Sequence, residues 1–241
     1  MDEKLTVNPG KNKVIDLDGD SWECYAIKTH VVTDKDNIID VCKTYGAPLM
    51  QDGDILFMSE KMVACTQGRA YRLEDIKVRP MARFLSRFVV RTTYGIGLAL
   101  PETMEMAFRE CGTFRILVAA FCGAVGKLFR KKGWFYIVAG RKAAAVDGPC
   151  DCTIPPYNKC VVLAPERPME VSKEIADALG GKVTIMIVDI NDLGGNILGC
   201  SDESLNLDYY CRLLKQNPLG QDDQQTPMGL LRKTSPEAKT E

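Results

Sequence analysis

The tract from Gly53 to Arg69 constrains this chain more than any other segment, because a turn, an apolar strand and a polar run ending in Gly-Arg follow one another without interruption. Gly53-Asp54 makes the turn and Ile55 to Met58 the strand. Elsewhere short apolar runs alternate with stretches of helical spacing, so strands and helices are both expected. A first strand is expected at about Glu23 to Val32. Ile38, Val41, Cys42 and Tyr45 then repeat as one helical face, with Asp34 or Asp36 as cap and Gly46 as terminator. Pro80 suits a first helical turn, with Met81, Phe84, Leu85 and Phe88 as an apolar face. Pro101 to Cys111 reads as a helix whose stripe of Met104, Ala107, Phe108 and Cys111 is core, closed by Gly112.

Arg115 to Cys122 and Lys159 to Leu163 read as buried strands, and Trp134 to Val138 as a weaker strand candidate. Val171, Ile175, Ala178 and Leu179 predict a helix ended by Gly180-Gly181. Val183 to Val188 predicts a β-branched strand leading into an Asp-rich turn, and Leu205 to Leu214 a closing helix. Residues 1–20 are expected as a polar N-terminal arm, 21–232 as the main domain, and 233–241 as a disordered tail poor in apolar residues.

The 241 residues are 46% hydrophobic, enough for one large domain or two small ones. With 31 basic against 32 acidic side chains, the net charge of −1 gives no electrostatic reason to expect nucleic acid or an anionic membrane as partner. The Arg130-Lys131-Lys132 run reads as a solvated loop. No run of eighteen uncharged apolar residues occurs, and Met1-Asp2-Glu3-Lys4 lacks the apolar core of a signal peptide, so a cytoplasmic location is expected. Ten scattered cysteines in a chain of this length read as reduced thiols. Cys150, Cys152 and Cys160 cluster, but a structural zinc site wants four ligands and His30 is the single histidine. That same scarcity argues against Ser-His-Asp or Cys-His nucleophilic catalysis, leaving His30 as a structural or exposed strand residue.

An acid at the end of a buried strand is where open mixed sheets place ligand groups, and Asp189 and Asp192 occupy such positions. Asp147 lies in a Gly-Pro turn after Val146; three carboxylates from separate turns could hold Mg²⁺ or Mn²⁺, which prefer hard oxygen donors. Equally, Asp147 could cap its turn and Asp192 shape the Gly194-Gly195 bend. The polar loop Asn217 to Pro227 could wrap a nucleotide or simply lie at the surface. Gly123-Ala124-Val125-Gly126-Lys127-Leu128 resembles a phosphate loop but has the wrong glycine spacing, and Leu128 stands where Ser or Thr should be.

Taken in order, Gly53 to Arg69, Ala144-Ala145-Val146-Asp147-Gly148 and Ile187 to Gly195 resemble the blocks of the coenzyme F-420 gamma-glutamyl ligase family. The resemblance covers roughly Tyr25 to Arg232. It implies a ligase that uses GTP as co-substrate and Mg²⁺ or Mn²⁺, with a monovalent cation as an optional addition, to join an amino acid to a small-molecule acid, in a homodimeric α+β body. It carries Lys28, Thr29, Ser59, Lys61, Arg69, Gly220 and Gln221 to the nucleotide, and Asp147, Asp189, Asn191, Asp192 and Asp222 to metal. It assigns no catalytic residue.

The chain departs from the family's pattern at Cys65 and Gln67, which stand where the family has lysine and glutamate, and at Gly148-Pro149-Cys150, where it has Ser-Asn after the metal-binding aspartate. Gln224-Gln225 replaces a Glu-Gly before proline, and Phe121 to Arg141 has no counterpart. These departures leave a second reading open: a non-catalytic ligand-binding or assembly protein on the ligase fold. A third is thiol chemistry at Cys150-Asp151-Cys152.

Overall fold

The computed structural model describes residues 5–89, 97–131, 133–151, 153–191, 194–220 and 223–234. The chain opens with β1 (Leu5–Thr6), β2 (Val14–Leu17), β3 (Asp20–Ile27), α1 (Ile38–Val41), β4 (Ile55–Ser59) and α2 (Glu60–Thr66). It continues through β5 (Ala70–Arg72), α3 (Pro80–Ser86), α4 (Pro101–Cys111), α5 (Thr113–Leu128), α6 (Trp134–Ala139), α7 (Arg141–Ala144) and β6 (Cys160–Val162). It closes with α8 (Pro168–Ala178), β7 (Thr184–Asn191), β8 (Gly194–Cys200), α9 (Leu207–Leu213) and β9 (Met228–Thr234). Two compact units result. Met1–Gln67 joins Pro165–Glu241 in the first, and Gly68–Ala164 forms the second.

The first unit is built on a mixed sheet of order β1-β3-β9-β4-β7-β8, with β2 paired to β3. Among the described residues only β4 and β7 run parallel, and the other pairs of this sheet are antiparallel. Side-chain alternation sends the two sides of each strand to different cores. Leu56, Met58, Ile185 and Ile187 pack with Val41, Val171 and Ile175 from α1 and α8 on one face. Ile55, Phe57, Met186 and Val188 pack with Tyr210 and Leu213 of α9 on the other. Burial on both faces is why β4 and the first half of β7 read as continuous apolar runs instead of alternating ones. Gly229 in the central β9 permits the closest approach: a Cβ there would lie 2.3 Å from the Tyr25 carbonyl oxygen and 2.5 Å from Phe57 Cζ. At the start of β4, buried Asp54 accepts from Arg232 Nη2 at 2.7 Å and Nε at 2.9 Å, fastening β4 to β9.

Several local expectations shift here. β3 stops at Ile27 because the Thr29 amide turns to the Gln225 carbonyl, 3.2 Å away, instead of a sheet partner. The helix from Ile38 lasts one α turn and passes into a π turn over Cys42–Gly46. Its cap is Asn37, whose side chain accepts from the Ile39 amide, because Asp36 is engaged with Thr33 and His30. Within the expected polar arm of residues 1–20, Leu5–Thr6 and Val14–Leu17 supply β1 and β2, and Lys233 and Thr234, expected as tail, finish β9 against Ser21 and Trp22, while the rest of that tail, 235–241, lies outside the described residues.

The second unit gathers α3 to α7 around one core, with β5 and β6 as a two-stranded antiparallel sheet. α4 buries Met104, Ala107 and Phe108 as the spacing predicts, and Gly112 closes it at φ +85°. Beneath it Glu105, 3% exposed, accepts from Arg79 and Arg109. Burial alone would raise its carboxyl, but the Arg79 side-chain and backbone donors, with Arg109, outweigh that and hold it below the ordinary glutamate range. Arg115 to Cys122, expected as a strand, lies inside the sixteen-residue α5, and Trp134 to Val138 is α6. Both expectations fail for one reason: α5 is apolar all round, so it lacks the polar face by which a helical period is read. α3 also departs, since Met81, Phe84 and Phe88 are exposed while Ala82 and Ser86 face inward.

Among the described residues eight cysteines are free thiols and Cys150 is disulfide-bonded, so the expectation of reduced thiols fails there and Cys150 has no thiolate to offer a metal. Cys152 lies outside the described residues.

Candidate functional site

Strand direction assembles the sheet end that matters. β3 and β4 are both antiparallel to β9, and β4 is parallel to β7, so the carboxyl ends of β3, β4 and β7 share one end of the sheet. The register is level: Ile27 and Met58 both lie opposite Met228, Met58 opposite Ile187, and Ser59 opposite Val188. Beyond that line come Lys28 and Thr29 from β3, the Ser59-Glu60-Lys61 junction from β4, and Asp189 and Asn191 from β7. Such strand ends pair a fixed backbone with a solvent-facing edge.

The loop before β9 is bound to the same end. The Ser59 amide donates to the Pro227 carbonyl at 2.8 Å, and Gln225 Nε2 donates to the Thr29 carbonyl at 2.7 Å. Asn8 Nδ2 ties the loop internally, donating to the Pro218 carbonyl at 2.8 Å and to Thr226 Oγ1 at 2.9 Å. Gly220 sits in this loop at φ +80°, where a Cβ would lie 2.6 Å from Gln224 Oε1, so the position needs glycine. Gln221 and Asp222, its expected nucleotide and metal contacts, lie outside the described residues.

β4 passes directly into α2, and Ser59 Oγ caps that helix by accepting from the Lys61 amide at 3.2 Å. Lys28 is exposed and Lys61 half-buried, while Thr29 is buried and donates from Oγ1 to the His30 carbonyl at 2.7 Å. Within α2, Cys65 is 5% exposed, so its side chain belongs to the core. Gln67 holds the Glu166 backbone in both directions, donating to its carbonyl at 2.9 Å and accepting from its amide at 2.7 Å. The missing family lysine and glutamate are therefore replaced by packing and a loop tie.

Asp189 and Asn191 alternate with Ile187, so they leave the sheet on the face that α1, α2 and α8 cover. Both are exposed, and both offer hard oxygen atoms. They stand within β7, paired with Asn196 and Gly194, where a turn had been expected directly after Val188. Asp192 lies outside the described residues. Among those described, no three His, Cys, Asp or Glu side chains gather as a metal cluster.

Asp147 and Arg69 belong to the second unit. Asp147 is exposed, and its amide and carbonyl both bond to Val162 at 2.9 Å, so its backbone extends the small sheet. Arg69 is buried, with Nη2 2.7 Å from Glu110 and Nε 2.6 Å from the Ala164 carbonyl.

His30, expected as a structural or exposed strand residue, is exposed but stands outside the strand. It lies past the end of β3, beside Thr29, with Nδ1 2.9 Å from the Tyr45 hydroxyl and Nε2 3.0 Å from Asp36 Oδ1. The Thr33 amide, more than the imidazole, holds the Asp36 carboxyl below its ordinary range. The sequence signal for this position was that the chain's one histidine directly follows Lys28-Thr29.

A family model described as F420-0:Gamma-glutamyl ligase matches residues 26–198, from the carboxyl end of β3 through the whole second unit to β8. No curated protein matches the chain.

Proposed function

The chain belongs to the F420-0:gamma-glutamyl ligase family, and from that membership, which implies gamma-glutamyl ligase chemistry, we propose a GTP- and divalent-metal-dependent amide ligase acting on a small-molecule acid and glutamate or a similar amino acid. One observation carries the reading. Lys28-Thr29, Ser59 to Lys61, Asp189 to Asn191 and the loop through Gln225 and Pro227 are far apart in sequence, yet they meet at one end of one sheet.

In the proposed reaction a substrate carboxylate oxygen bonds to the γ-phosphorus of GTP as the bridging bond to the β-phosphate breaks, releasing GDP. The amino nitrogen then attacks the acyl phosphate carbon, phosphate leaves, and the amine proton passes to solvent. Lys28 and Lys61 supply positive charge for the phosphates, and Gln225 and Ser59 hold the loop and α2 in place around them. The donors at the end of β7 fit Mg²⁺ or Mn²⁺, because such ions take few protein oxygens and fill the remaining positions with water and phosphate. Asp189 and Asn191 would hold the ion, with Asp192 and Asp222 as further candidates. Once bound, it would neutralise the transferring phosphoryl group. The proposal includes a cytoplasmic homodimer, and a single species of 26.7 kDa in sedimentation would remove the dimer from it.

The test combines purified protein with GTP or ATP, Mg²⁺ or Mn²⁺, glutamate and a panel of carboxylic acids. Phosphate release coupled to an amide product of the added amino acid is the expected result. Neither nucleotide turnover nor nucleotide binding at millimolar metal would overturn it and favour the non-catalytic reading.

A further inference from the structure

The exposed side of α5 is more hydrophobic than its buried side. Phe114, Leu117, Val118, Phe121 and Leu128 recur at i, i+3, i+4, i+7 and i+14, a single helical stripe, and their exposures reach 81% at Phe114, 70% at Phe121 and 80% at Leu128. The residues facing inward are Ile116, Ala119 and Gly126. A surface helix of a free-standing soluble domain has the opposite arrangement. The packing explains how α5 stays in place: α6 lies against its glycines so closely that a Cβ on Gly126 would meet Trp134 Cγ at 3.1 Å and one on Gly123 would meet Phe135 Cβ at 3.1 Å. Small inward residues anchor the helix and leave its large ones outside.

The apolar surface extends and is fringed with cations. Phe129, 66% exposed, is followed by exposed Arg130 and Lys131. Lys127 Nζ donates to the Phe88 carbonyl at 2.8 Å and joins the end of α5 to the end of α3, where exposed Phe84 and Phe88 alternate with exposed Arg83 and Arg87. The two arginines also line a cleft of about 460 Å³ with Ser86. Across residues 68–164 the sequence holds 16 Lys and Arg against 7 Asp and Glu, a balance of +9, which leaves −10 for the rest of the chain. The whole-chain value of −1, which gave no reason to expect an anionic surface, is the sum of two strongly charged and opposite units.

We propose that the stripe on α5, with its rim of Arg83, Arg87, Arg130 and Lys131, docks the protein onto the surface of an anionic lipid bilayer, independently of the ligase reading. Bulky apolar side chains interleaved with Lys and Arg fit a headgroup boundary, where the chains enter and the cations meet lipid phosphates. The helix lies in the plane of the surface. Among the described residues no single helix is long and apolar enough to cross a membrane; α4 and α5 pass that test together, but they bend by 119° and α4 is occupied in the core. A second copy fits the stripe less well. Among the described residues, 11 of the 13 exposed large hydrophobic residues lie in the second unit, so the acidic unit of another copy has only Val7 and Val14 to offer, while stripe-to-stripe pairing sets basic rims against each other. Nucleic acid would match the charge and leave the apolar stripe in water.

The test is co-sedimentation of the full-length protein with phosphatidylglycerol-containing vesicles and with pure phosphatidylcholine vesicles, at low and high salt. Binding to the anionic vesicles that weakens as salt rises, and is roughly tenfold weaker on phosphatidylcholine, is expected. Phe121→Asp and, separately, Arg130→Glu with Lys131→Glu should each reduce anionic-vesicle binding about tenfold while melting like the parent, since all three positions are exposed. No binding to anionic vesicles, or binding that both variants retain, overturns the proposal. So does a parent that sediments as a dimer and becomes monomeric on Phe121→Asp, which would make the stripe an interface between copies.

Discussion

Asp54→Asn tests the load on the tie between β4 and β9. Asp54 is 3% exposed at its side chain and accepts from Arg232 Nε and Nη2 at 2.9 and 2.7 Å and from the Gln51 amide at 2.8 Å. Asparagine keeps the shape and can still accept from Gln51, but its amide hydrogens face the guanidinium. Removing one partner of a buried ion pair costs about 3–5 kcal/mol. The Arg232 side chain is 19% exposed and also donates to the Leu49 carbonyl at 3.1 Å, so water and that carbonyl offset part of the loss. The expected destabilisation is about 2–4 kcal/mol, read as a lower urea midpoint at unchanged m-value. Asp54→Asn combined with Arg232→Met should recover part of it, with a coupling of about 1–3 kcal/mol. Asp54 lies at the other end of β4 from Ser59, so nucleotide affinity of the folded variant should equal the parent's. A loss below about 1 kcal/mol, or strict additivity in the cycle, would refute the argument that the pair fastens a central strand.

If Asp189 holds the ion, Mn²⁺ should raise the melting temperature of the parent by mass action, and Asp189→Asn should lose most of that shift. The metal-free variant should melt within a degree or two of the parent, because the position is exposed, and an undiminished shift would remove Asp189 from the donor set. Glu105 predicts an acid limb. Its folded carboxyl lies below the ordinary 4.5, so its stabilisation is complete above that value and is lost as pH falls through the lowered one. Glu105→Gln should therefore destabilise the protein at neutral pH and flatten the fall in urea midpoint between neutral and acid pH; parallel curves would contradict this assignment.

The elements that were legible in sequence share a feature. α4 and α8 have one apolar and one polar side, and their cappers and terminators, Pro101, Gly112 and Gly180, stand at positions whose φ demands or tolerates them. β4, β6 and β7 are short runs bounded by turn residues. α5 and α6 were illegible because period detection needs contrast between faces, and an all-round apolar helix has none. The short α1 was misjudged because Asp36 was engaged with Thr33 and His30 across a loop, leaving Asn37 as the cap.

For the candidate site, sequence by itself determined which chemical groups are available and in what order: oxygen donors at Asp189 and Asn191, cations at Lys28 and Lys61, and a turn-strand-helix passage through Ser59. These are local properties, written in residue type and spacing. Tertiary structure alone decided that they lie at one end of one sheet, because strand order and direction are set by burying both faces of β4 and β7 between helices that are distant in the chain. It also decided that Cys65 is core, that Gln67 holds a loop, and that the charge of −1 is divided between an acidic and a basic unit. Net charge is a sum over the chain, whereas a partner meets only the side chains that folding has placed on one face.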